Sequence, residues 1–143
     1  IQYLESVFNS VSIGHHASFF LYLCALDLGN IKASSLFIDQ NDNQLDLACF
    51  DNKVLVFYNR FPIHGDNDAL YHCMNCIEVL NLDASELKAW LSGDLSKKQI
   101  EEFSKYLGQI NLRSPDTRLK YAVEMTEQVQ KSFHSIFQLH LCE

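Results

Sequence analysis

Basic charge is scarce in this chain: eleven Lys and Arg stand against eighteen Asp and Glu, a formal charge of −7, and the basic residues form no cluster. A surface that tracks phosphates needs Lys and Arg to release counterions, so a nucleic-acid partner is not expected. Long apolar runs are missing as well. The longest, 19–28, is broken by Asp27, far from the roughly 20 residues that cross a bilayer, so no membrane span is expected. A disulfide framework is missing too. Five cysteines, an odd number, are scattered over core-like positions: Cys24, Cys49, Cys73, Cys76 and Cys142. They read as small apolar residues of a reducing compartment, which points to the cytoplasm. There is no internal repeat, linker or low-complexity segment. The chain opens at Ile1 without a Met, inside an amphipathic stretch with neither a basic n-region nor a cleavage site. Such a start resembles a cut more than a signal peptide, and a fragment or processed chain is expected.

What is present is the composition of one globular domain. A length of 143 residues, 48% of them hydrophobic and 20% charged, supports one good core and is short for two, so residues 1–143 are read as a single domain. Tyr3, Leu4, Val7 and Phe8 predict a short amphipathic helix over 1–9, and 17–28 predicts a second, with Gly29 as its stop. Residues 34–39, 44–50 and 53–61 predict three strands, the second alternating Leu45, Leu47 and Cys49 against Asp46 and Ala48. The links 40–43 and 51–53 are short and full of turn formers, so an antiparallel meander is the simplest pairing. Leu70, Cys73, Met74, Ile77 and Leu80 then predict a helix capped by Asp66 or Asn67. A buried strand follows over 87–91. Next comes a helix opened by the capping box Ser96/Gln99, with Ile100, Phe103, Tyr106 and Leu107 on its apolar face and Gly108 at its end. Residues 110–112 and 118–125 predict further strands, and the spacing of Phe133, Ile136, Phe137, His140 and Leu141 predicts a terminal helix.

Three antiparallel strands, then helix, strand, helix and strand, is the order of an α/β, ribonuclease-H-like mixed sheet, in which the last strands join the meander through crossover helices. The stretch 53–61 (KVLVFYNRF), the helix after it, residues 91–94 (LSGD) and the ending 139–143 (LHLCE) resemble the C-terminal half of an uncharacterised bacterial family. That family is related to actin-like ATPases, the fold of sugar kinases, heat-shock chaperones and actin, and to PilM-type pilus-assembly proteins. The resemblance implies one lobe of an actin-like fold, with the other lobe as partner. It also implies that a whole nucleotide site does not lie in this chain.

Active members of the actin-like fold end the first strand in Asp followed by a glycine-rich turn, which lets backbone N–H groups close on phosphate while the carboxylate holds the metal. By this resemblance Asp39, Gln40 and Asn41 would face ATP and Mg, but the turn runs on to Asp42 and Asn43 without a glycine. Asn and Asp accept left-handed turn conformations, so a plain hairpin accounts for these residues better than a phosphate loop. Ser92 and Gly93 correspond to the adenosine-contacting turn, where one glycine stands instead of two. A two-metal nuclease would set carboxylates about 4 Å apart across two ions, and Asp39, Asp68 and Asp94 fall at the three expected places. Capping and turn roles explain Asp68 and Asp94 as well, and the acidic chain offers no groove for a polyanion.

Cys73 and Cys76 with His72 suggest a metal or redox motif, yet zinc needs four ligands and the thioredoxin motif opens a helix, whereas this pair falls mid-helix. Core packing is the better reading. His15 and His16 lack an evident acidic or cysteine partner and read as a solvated turn. Trp90 reads as core; exposed together with Tyr58 or Phe61 it would mark a partner surface. The reading that follows is a degenerate, pseudo-ATPase lobe acting as a scaffold for a protein partner or a second copy. An active ATPase or kinase lobe is the alternative, and the nuclease comes third.

Overall fold

Turn chemistry organises the front of the chain. In the computed structural model, which describes residues 2–8, 14–65, 67–113, 120, 122, 125, 126 and 129, helices α1 (Gln2–Val7) and α2 (His16–Leu28) precede strands β1 (Ser35–Asn41), β2 (Gln44–Asp51) and β3 (Val54–Pro62). Asn41 pairs with Gln44 and Asp51 with Val54, so each hairpin has a two-residue turn. Asp42 (φ 53), Asn52 (φ 47) and Lys53 (φ 69) adopt left-handed conformations there. That backbone matches the twist of paired strands, which makes the meander a local consequence of sequence.

Helix α3 (Asp68–Val79), β4 (Lys88–Gly93), α4 (Lys97–Tyr106) and β5 (Gln109–Leu112) complete the order. The sheet runs β3-β2-β1-β4-β5, with β4 and β5 parallel to β1. This is the mixed α/β sheet expected. The capping box of Ser96 and Gln99 opens α4, and Gly29 (φ 46) closes α2. Gly108 follows α4 for a different reason. Its backbone passes so close to Ser85 that a Cβ there would meet the carbonyl oxygen at 1.8 Å.

Two cores sit on the two faces. Leu36, Ile38, Leu45, Leu47 and Leu91 pack against Ala69, Cys73 and Ile77 of α3 and Phe103 of α4. Phe37, Ala48 and Phe50 pack on the other face against Phe20, Cys24 and Leu28 of α2. Because helices cover both faces, β2 is buried without alternation, and Asp46 is 1% exposed. The one-sided pattern read from Leu45, Leu47 and Cys49 is corrected by that second layer. A register shift between Cys49 and Phe50 bulges β3 at the edge of the sheet.

Some expectations need amendment. Asn67 makes no side-chain cap on α3. Instead Asp68 reaches back to accept from the backbone N–H groups of His64 and Gly65. Asp66 lies outside the described residues. Of the expected strand 118–125, the described residues Lys120, Ala122 and Met125 are in no strand, and Met125 N donates to Ala122 O. The expected helix through Phe133, Ile136, Phe137, His140 and Leu141 lies outside the described residues, as does Cys142. Among the described residues, no helix is long and apolar enough to cross a membrane.

Candidate functional site

Alternation places one polar row across the α2 face of the sheet. Phe37 and Ala48 face α2, so Asp39 and Asp46, two residues along each strand, face it too. The register aligns Arg60 with Asp46, Asp46 with Asp39, and Asp39 with Ser92. Arg113 follows Leu112, the partner of Leu91, and comes level with Ser92. The row crosses the sheet near the carboxyl ends of the parallel strands β1, β4 and β5, where open α/β sheets take their ligands.

Asp39 is 1% exposed. Ser92 Oγ donates to its Oδ1 at 2.6 Å and Asn41 Nδ2 to its Oδ2 at 2.8 Å. Asp39, Asn41 and Ser92 thus form one network, as the strand register requires. Gln40 points to the opposite face, where its Nε2 donates to Asp94 O at 3.3 Å and its Oε1 accepts from Gln99 Nε2 at 3.1 Å. Gly93 (φ 90) lies against Gln40, and a Cβ there would meet the Gln40 oxygen at 1.9 Å. Asp94 N donates to that same oxygen. The ends of β1 and β4 are therefore zipped together, and close packing accounts for the glycine. Asp68 belongs to a third, separate network in its own turn, whose N–H groups hold its carboxyl below the usual range. Asp39, Asp68 and Asp94 do not converge. Among the described residues, no group of three His, Cys, Asp or Glu side chains stands where it could hold a metal ion.

Sequence reasoning missed the other half of the row. Asp46 accepts from Tyr58 OH at 2.7 Å and from His16 Nε2 at 2.9 Å, with Arg60 Nε at 3.7 Å. His16 is therefore no solvated turn residue: it opens α2 and ties that helix to β2, while His15 caps it by accepting from Ala17 N. Burial, and then the hydrogen bond to Asp46, pushes the Tyr58 phenol well above its ordinary range. Arg113 reaches the last turn of α2, its Nε 2.8 Å from Asp27 Oδ2. An acid between two core leucines, Leu45 and Leu47, is the one signal in the sequence that could have found this half of the row.

The cysteines are packing residues. Cys24, Cys49, Cys73 and Cys76 are buried and free. Burial pushes the thiol of Cys49 up to about 12 and that of Cys76 up to about 11, and raises that of Cys73 well above its ordinary value. Thiols held protonated are poor metal ligands and nucleophiles. His72 stacks on Phe61, ring centroids 4.1 Å apart. Trp90 and Tyr58 pack on the α2 face and Phe61 on the other, so the three do not form one patch. A polar depression of 280 Å³ lies at the opposite end of the strands, lined by Lys32, Ser34, Asp51, Asp83 and Glu86.

Comparison with known proteins adds the family and the fold. A family described as "Protein of unknown function (DUF3822)" matches residues 1–110. No curated protein matches. Among solved structures, a Bacteroides thetaiotaomicron protein described as having an actin-like ATPase fold and unknown function is similar over 78% of this chain, at 16% identity and a TM-score of 0.69. The chain spans 44% of that protein's length. At that identity the likeness establishes the fold, and the mixed five-stranded sheet is that of an actin-like ATPase fold.

Proposed function

This chain belongs to the DUF3822 family, and we propose that residues 1–143 are one domain, a lobe of an actin-like protein that has kept the fold, lost efficient ATP handling and works through protein contacts. The observation that carries this reading is the state of Asp39. Its carboxylate is 1% exposed and engaged by Ser92 and Asn41. The turn beyond it is Asp42-Asn43, with no glycine to open room for phosphate. A carboxylate in use as a strand-to-strand tie is poorly placed to hold a hydrated metal ion. The share of the similar chain that is covered, 44%, supports a second lobe as the first partner. A kinship with PilM-type assembly proteins and a cytoplasmic setting belong to the same proposal; the four buried free thiols support the latter.

The test is the thermal midpoint of the two-lobed protein with and without millimolar Mg-ATP. A ligand at about 100 times its dissociation constant adds roughly 2.7 kcal/mol to the native state, a shift of several degrees. No shift is expected. A clear shift that Asp39→Asn abolishes overturns the proposal and makes the chain a working nucleotide lobe.

A further inference from the structure

Helix α2 (HASFFLYLCALDL) is apolar around its whole circumference, and a helix with that pattern belongs in an interior. Its polar ends, His16 and Asp27, are both turned to the sheet, where they meet Asp46 and Arg113. The stripe turned to solvent is Ser18, Tyr22, Ala25 and Leu26, at the spacing of one helix face. Tyr22 is 42% exposed and Leu26 49%. A surface helix ordinarily does the reverse, with carbon inward and charge outward. The polarity of α2 is inverted.

Helix α1 repeats the pattern just ahead of it. Tyr3, Leu4, Val7 and Phe8 share one side by their spacing and are between 44% and 77% exposed. A helix this short takes its stability from packing an apolar face, not from its own hydrogen bonds. Apolar side chains exposed in groups mark a surface that meets another. The stripes of α1 and α2 together amount to eight residues, whereas partners that meet by diffusion use about 20–30 a side. A surface of this size suits a partner held close by the chain itself, because a tether supplies a high effective concentration. The similar solved structure is long enough to contain one: this chain spans 44% of it.

We infer that the outer stripe of α2, with the apolar side of α1, is the seat of the other lobe of the protein. With this chain as the C-terminal lobe, the other lobe is joined ahead of Ile1, and α1 and α2 are the first elements to follow it. The surface it brings is apolar and uncharged, with one acceptor for the Tyr22 hydroxyl, which needs a partner once covered. The inference rests on the two-lobe part of the proposal above and not on the loss of ATP handling. A midpoint raised by Mg-ATP would therefore overturn that loss and leave the docking face standing.

The occupant is identified in the two-lobed protein by replacing Tyr22 with the photo-reactive p-benzoylphenylalanine, irradiating, and mapping the cross-linked peptide by mass spectrometry. The expected adduct joins Tyr22 to a peptide of the other lobe within one molecule, at a yield that does not change on dilution. An adduct between two molecules makes the occupant a second copy, and an adduct to another part of residues 1–143 makes it a segment of this chain; either overturns the inference, as does a protein that reacts only with water. A second measurement needs no photochemistry. Tyr22→Lys with Leu26→Lys changes positions that face solvent in this chain, where substitutions ordinarily cost little. In the two-lobed protein the pair should lower the thermal midpoint by several degrees, because charge would be placed in an apolar contact. An unchanged midpoint overturns the inference.

Discussion

On the face covered by α3 and α4 the sheet presents Leu36, Ile38, Leu45, Leu47 and Leu91, an aliphatic layer closed by Phe103. On the face covered by α2 the same strands present Phe37, Ala48 and Phe50 and, beyond them, the buried Asp39, Asp46 and Arg113. The first face is held by area removed from water, which is large and indifferent to detail. The second depends on donors and acceptors meeting one another, which adds little net stability when complete and costs much when broken. One sheet thus carries an interior that sets the fold and another that fixes how α2 sits upon it.

The comparison breaks most visibly at Phe103. Phe103→Ala should cost about 3–5 kcal/mol, from lost transfer energy plus the cavity left under α4, read as the fall in ΔG by urea unfolding. Asp46→Ala should cost less, about 1–3 kcal/mol, since Tyr58, His16 and Arg60 reach the surface and can turn to water. Asp46→Asn sharpens the point: the isosteric amide removes the charge but keeps an acceptor for Tyr58 and His16, and should cost less than Asp46→Ala. If Asp46→Asn proved as damaging as Phe103→Ala, the polar row would be holding the fold after all.

The smallest effect is a pH dependence that the cysteines of the aliphatic face should show. Thiols in the unfolded chain ionise near about 8.5, whereas burial holds Cys49 and Cys76 up to about 12 and about 11. Between those values the unfolded state has lost protons that the native state keeps, so stability falls as pH rises and is fully present below about 8.5. Thermal midpoints measured from pH 7 to 10.5 should therefore decline. Cys49→Ala with Cys76→Ala should flatten the slope, whatever it does to the midpoint at pH 7.

Most of the aliphatic interior was legible because its signals are local. The Ser96/Gln99 box, the turn residues Asp42, Asn52 and Lys53, and the spacing of Cys73, Ile77 and Phe103 each act within a few residues. The polar row was not, because its bonds span the chain. His16 and Asp46 are thirty residues apart, and Asp39 and Ser92 fifty-three. Their meeting depends on strand register and on α2 lying over β2. Asp39 stands near the end of β1, two residues before its last, but only the register revealed that Ser92 occupies it. The same blindness hid Arg113, whose ion-pair partner Asp27 stands on α2, far away in the sequence.

The bulge in β3 has a bearing on how this chain behaves among its own copies. Val54, Leu55 and Val56 form an exposed apolar run on an edge strand, the kind of segment that recruits other strands into aggregates. The irregular register between Cys49 and Phe50 falls across that run, where Cys49 pairs with Phe57 and Phe50 with Leu55. An incoming strand would find the spacing of its hydrogen-bond partners interrupted where the surface is stickiest. Straightening β3 by deleting Val56 should therefore leave the fold recognisable and make the protein markedly less soluble.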